Sequence, residues 1–244
     1  MICNKITAFG LSLAVLLGLG TSSQSAHAIS QNLPPKTQAA APMTIVSLDR
    51  GPIAGGWTIN QGALSLKKHK DAAEAFKKAT KGMVGYDQEV VAFLGSQVVA
   101  GTNYSYLCKG HVVYPNAQNE YIIVNVYEDL QGHATITGSR QVLPVARDMA
   151  TGAWSYNQGN TDVKKHKEVK KAYDKAAKSI ADGRVSPVAY LGSQVVAGSN
   201  YAILVAVTPN KASHERYFAI LTIYNDLHGQ SSLIKAEALD IGLN

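Results

Sequence analysis

The octapeptide LGSQVVAG stands twice in the chain, at Leu94–Gly101 and at Leu191–Gly198, 97 positions apart. The register extends far beyond it. Trp57 matches Trp154, Lys67-Lys68-His69-Lys70 matches Lys164-Lys165-His166-Lys167, and Tyr127 matches Tyr224. Asp129-Leu130 matches Asp226-Leu227, all without an insertion or deletion. Solenoid units run about 20–50 residues, so a period this long marks duplicated domains. Each copy must then bury a modest core from about 95 residues. Whatever one copy changes, the shared fold does not require.

The two ends of the repeat region set its limits. Lys5, the apolar run Leu11 to Leu19 and Ala26-His27-Ala28 read as a secretory signal over residues 1–28. The run is shorter than the about 20 residues a bilayer-spanning helix needs. The expected location is therefore secreted or periplasmic, with no membrane span after signal removal. Residues 29–52, where Ser30 to Met43 is rich in Pro, Ala and Gln, read as a flexible leader. The copies occupy 53–146 and 147–244.

Composition excludes several classes. Beyond the signal only Cys108 remains, so no internal disulfide can form, and Val205 holds the matching position in copy two. That substitution makes Cys108 a buried apolar filler rather than a nucleophile. The formal net charge of +6 falls by one when Lys5 leaves with the signal. Most lysines lie on two predicted helices, and nothing aromatic is interleaved for base stacking, so nucleic acid is not an expected partner. Ser65-Leu66-Lys67-Lys68 fits S-x-x-K only in form, since copy two has Asp162 in place of the serine. Asn103-Tyr104-Ser105 has the form of a glycosylation sequon, discounted because the signal looks bacterial. His69 and His166 read as satisfied helix histidines. No cofactor, metal or enzymatic constellation is expected.

Leu66, His69, Ala73, Phe76, Thr80 and Met83 recur at helical spacing, as do Val163, His166, Tyr173, Ala177 and Ile180. Ser65 and Asp162 stand as N-caps. The spacing predicts one amphipathic helix per copy, about five turns or roughly 28 Å long. The remainder alternates with period two. Tyr104, Tyr106 and Cys108 face away from Ser105, Leu107 and Lys109, and Ile122, Val124 and Val126 face away from Asn125 and Tyr127. Asp129 to Gly132 and Asp226 to Gly229 read as hairpin turns. One helix across about four antiparallel strands, twice, is an α+β expectation.

Gln97-Val98-Val99-Ala100-Gly101 and Gln194-Val195-Val196-Ala197-Gly198 fit the Q-x-V-x-G motif of cystatins, and the Thr102-Asn103-Tyr104 that follows is similar to stefins. Gly55-Gly56, and Gly152 in copy two, lie upstream of the helix at a spacing similar to the glycine of the cystatin trunk. The chain thus resembles two tandem cystatin-like domains. The resemblance implies a reversible inhibitor of papain-like cysteine proteases with no cofactor. Trunk, first hairpin and second hairpin would form a wedge filling the protease cleft. In copy one these are Gly55, Gly56, Gln97 to Gly101, and Leu130, Gln131 and Gly132. In copy two they are Gly152, Gln194 to Gly198, and Leu227 and His228. The second hairpins lack the Pro-Trp pair of many secreted cystatins, as stefins do. Residues 143 to 151 tie the second trunk to the preceding copy, so copy one is the expected stronger wedge. The chemistry suits docking: the motif carries no charge to desolvate, and Val98 and Val99 are stiff at χ1. The alternative is a duplicated binding module of the cell envelope without protease inhibition.

Overall fold

The computed structural model describes residues 56–143, 152–181, 183–211 and 215–242. The expected signal, the leader, Gly55 and residues 144–151 lie outside these. Each repeat gives one five-stranded antiparallel sheet whose strand order follows the chain. The first contains β1 (Thr58–Ile59), β2 (Tyr86–Val99), β3 (Gly101–Val112), β4 (Glu120–Glu128) and β5 (Ala134–Gln141). The second contains β6 (Trp154–Tyr156), β7 (Gly183–Val196), β8 (Gly198–Pro209), β9 (Tyr217–Asn225) and β10 (Ser231–Ala238). Helices α1 (Lys70–Thr80) and α2 (Lys167–Ala176) each lie between the first two strands of their repeat in the chain.

The expected α+β architecture, two cystatin-like domains each built as one helix across about four strands, is overturned. The described residues are mainly strand, and the helices have only 11 and 10 residues. Two physical causes account for the difference. Both predicted helices break at their histidine: His69 takes φ −127°, ψ 80° and His166 φ −116°, ψ 92°, so a separate 3₁₀ turn precedes each α-helix. The break shifts the buried stripe to Ala72, Ala75 and Phe76, and Met83 is exposed. Each ring nitrogen instead meets a carbonyl, Ala63 at 2.6 Å or Asn160 at 2.5 Å. Asp162 caps its 3₁₀ turn through the Lys164 amide, whereas the Ser65 side chain caps nothing.

The second cause is that each sheet is covered on both faces. Helix α1 packs with Tyr104, Tyr106, Cys108, Ile122, Val124 and Val126. Helix α2 packs with Ile203, Val205, Val207, Ala219, Leu221 and Ile223. The opposite faces meet each other: Leu94, Leu107 and Ile123 share one core with Leu191, Leu204 and Phe218. Two inner sheet faces interdigitating in this way form a sandwich core about 10 Å thick. Both repeats belong to one compact unit.

The seam is polar at its margins and repeats its own chemistry. Gln61 accepts from the Arg216 amide at 3.0 Å, and its counterpart Gln158 accepts from the Asn119 amide at 2.6 Å. Ser105 and Asn125, two buried polar residues on this face, both donate to the Ile241 carbonyl, at 2.7 and 3.2 Å. The Tyr121 hydroxyl donates to Asn157 O at 3.1 Å, and burial raises the phenol to about 12. Burial likewise raises Tyr156 to about 12. In the unfolded chain these groups ionise near 10. Above that pH the unfolded state releases protons the folded state keeps, so stability falls between pH about 10 and 12. Alkaline unfolding followed by circular dichroism should begin in that window and move upward in Tyr121→Phe. An unmoved onset would show that the Tyr121 phenol does not drive it.

Candidate functional site

Chain reversal at the first hairpin is achieved in one residue. Val99 pairs directly with Gly101, leaving Ala100 alone at the tip, and Val196 pairs with Gly198 around Ala197. Gly101 has φ +122°, and a Cβ there would sit 2.3 Å from the Glu128 carbonyl and 2.8 Å from the Tyr127 ring. Gly198 has the same φ, with the Asn225 carbonyl 2.3 Å away. Only glycine allows the neighbouring strand so close.

The strand pairing fixes where the other expected segments lie. Thr102 pairs with Glu128, so the turn at Asp129 to Gly132 rises from the same end of the sheet as the first tip. Thr58 pairs with Ser96, which brings the exposed Gly56 to the level of Val98. In the second sheet Trp154 pairs with Gln194, and the Gln194 side-chain amide donates to Gly152 O at 2.6 Å. Each sheet therefore gathers trunk, first hairpin and second turn at one end. Gly55 lies outside the described residues.

These ends are apolar and open to solvent. Val98 is 74% exposed, Val195 73%, Leu130 77% and Leu227 80%. Val99 and Val196 are also exposed, as are Ala100, Ala197, Gln131 and His228. Gln97, Gly101, Gly132, Gly152, Gln194 and Gly198 are half-buried, at the base of the projecting tips. Both copies expose equivalent tips to the same degree, although copy one is the expected stronger wedge.

The tips are held in shape from within. Tyr127 donates its hydroxyl to Ala100 O, and Tyr224 does the same to Ala197 O, each at 2.5 Å. Asn103 donates to the Gln97 side-chain carbonyl at 2.8 Å and Asn200 to that of Gln194 at 2.7 Å. At the second turn the Asp129 carboxylate accepts from the Gln131 and His133 amides, both at 2.9 Å. The His133 amide leads the interactions that hold the Asp129 carboxyl below its ordinary range. Asp226 repeats the arrangement with the His228 and Gln230 amides. A tip ordered before it meets a partner loses less entropy on association.

The tyrosine and asparagine locks were not among the expected site residues. Their signal is in the sequence: Tyr127/Tyr224 and Asn103/Asn200 recur at the repeat spacing while neighbours such as Ser105/Ala202 and Val126/Ile223 change. The other candidates are structural. Cys108 is fully buried in the helix-side core, and burial pushes its thiol well up. The sequon's Ser105 is likewise fully buried in the seam. Among the described residues no His, Cys, Asp or Glu side chains group as metal ligands, and no helix is long and apolar enough to cross a membrane. The chain matches no protein-family model and no curated protein.

Proposed function

We propose that this protein is a reversible inhibitor of papain-like cysteine proteases, seating an uncharged hairpin edge in the protease cleft. The observation that carries the reading is the convergence of trunk, first hairpin and second turn at one exposed end of each sheet. An apolar tip enters a cleft without the cost of stripping water from a charge. Its internal hydrogen bonds keep it in one conformation, so an enzyme meets a plug rather than a flexible peptide it could draw across its nucleophile. Gln97-Val98-Val99-Ala100-Gly101 and its copy supply the motif through which the chain resembles cystatins. A secreted or periplasmic location would bring it to extracellular proteases.

Papain activity on a small fluorogenic peptide should fall to a few per cent at stoichiometric full-length chain and return on dilution. Undiminished activity at tenfold excess of folded chain would reject inhibition and assign the exposed edges to a partner of another kind.

A further inference from the structure

The two sheets stack head to tail, and this follows from which residues meet across the seam. The far end of each sheet is the end opposite its hairpin tips. Beyond β10, at the far end of the second sheet, Ile241 accepts from Ser105 and Asn125. Ser105 lies only four residues from Gly101 along β3. One residue later Gly242 lies against the Trp57 ring, where a Cβ would be 2.6 Å from Nε1. The far end of sheet two therefore covers the hairpin half of sheet one.

The reciprocal contact is present. Tyr121, at the far end of sheet one, donates to Asn157 O, the residue after Tyr156, which pairs with Gly192 in the hairpin half of sheet two. Asn119 and Gln158 join at the same place, as do Arg216 and Gln61 in the symmetric position. Each tip overhangs the sheet behind it, consistent with the exposure of Val98 and Val195. Following the strand registers from one tip to the other at about 3.3 Å per residue gives a separation on the order of 50 Å.

From this arrangement we infer that one chain holds two protease molecules at once, one at each end, bound independently. The inference rests on the inhibitor reading and adds its geometry: two outward-facing copies of the same edge rather than one composite surface. A single-domain protease of about 200 residues has a radius of gyration near 16–17 Å, by the scaling of compact domains. Two such bodies at opposite ends of the molecule do not collide. Because the tips point apart, they cannot engage one protease molecule together, so avidity on a single monomeric target is excluded.

The test is the composition of the complex formed by the full chain with excess papain, read by size-exclusion chromatography with light scattering. The expected mass corresponds to one chain and two papain molecules. Val98→Glu and Val195→Glu, each alone, should give one chain with one papain. Calorimetric titration of the wild type should fit two sites, and the tighter one should be the site lost in Val98→Glu. A wild-type complex that stops at one papain, with only one of the two substitutions affecting it, overturns bivalence and leaves inhibition standing. Absence of any complex overturns both readings.

Discussion

Leu107→Ala lowers the stability of both repeats together, by about 2–5 kcal/mol, the range for truncating a leucine in a packed core. Leu107 belongs to the first repeat, is fully buried, and shares its core with Leu191, Leu204 and Phe218 of the second. Removing it leaves a cavity at the seam, so the loss falls on an interaction that neither sheet can make alone. The chain has two tryptophans, Trp57 and Trp154, one in each repeat. Both pack against this seam core. Trp57→Phe and Trp154→Phe therefore give proteins whose fluorescence reports one repeat each. In urea the two reporters should show one midpoint, and adding Leu107→Ala should lower both by the same amount. Two separate midpoints, with only the Trp57 signal moved by Leu107→Ala, would show that the repeats unfold independently.

That expectation depends on the feature hardest to read from sequence. Ser105 and Asn125 alternate with apolar residues, and polar positions at period two are the ordinary mark of a solvated sheet face. Here they are buried and both donate to one carbonyl, that of Ile241, while the Asn125 Oδ1 is left without a hydrogen-bond partner. The partner that removes them from water comes from the other end of the chain, and no local pattern announces it. The helices differ from the sequence expectation for a more local reason. A continuous stripe through His69 assumes unbroken helical dihedrals, whereas that ring turns back to a loop carbonyl and packs 4.6 Å from the Phe93 ring. The stripe restarts out of phase beyond it.

The tips were legible because their chemistry is local. Gly101 and Gly198 adopt a backbone conformation that other residues rarely enter, and Asp129 and Asp226 close their turns with their own side chains. The direction in which each tip points was not legible, since it depends on how two sheets dock. Repetition nevertheless marks the residues that shape the tips. The residues that lock the tips are retained in both copies, as are central seam positions such as Leu94/Leu191 and Leu107/Leu204.

Val98→Glu combined with Val195→Glu should raise the inhibition constant for papain by at least about a thousandfold, or roughly 4 kcal/mol. Both side chains stand in solvent, so a carboxylate costs the free protein little, and the thermal midpoint should be unchanged within the usual scatter of surface substitutions. In the complex the same carboxylates would enter an apolar cleft without a counter-charge, where an unpaired buried charge costs about 3–5 kcal/mol. Glutamate at Gly101 and Gly198 would be a poorer probe. A side chain there collides with the Glu128 or Asn225 carbonyl, so lost inhibition could arise from a distorted hairpin. The valine pair separates the two causes, because it changes what the tip presents while leaving its backbone and its Tyr127 and Tyr224 locks in place. Inhibition that survives both substitutions in a folded chain would mean that the hairpin tips are not the surface that meets the protease.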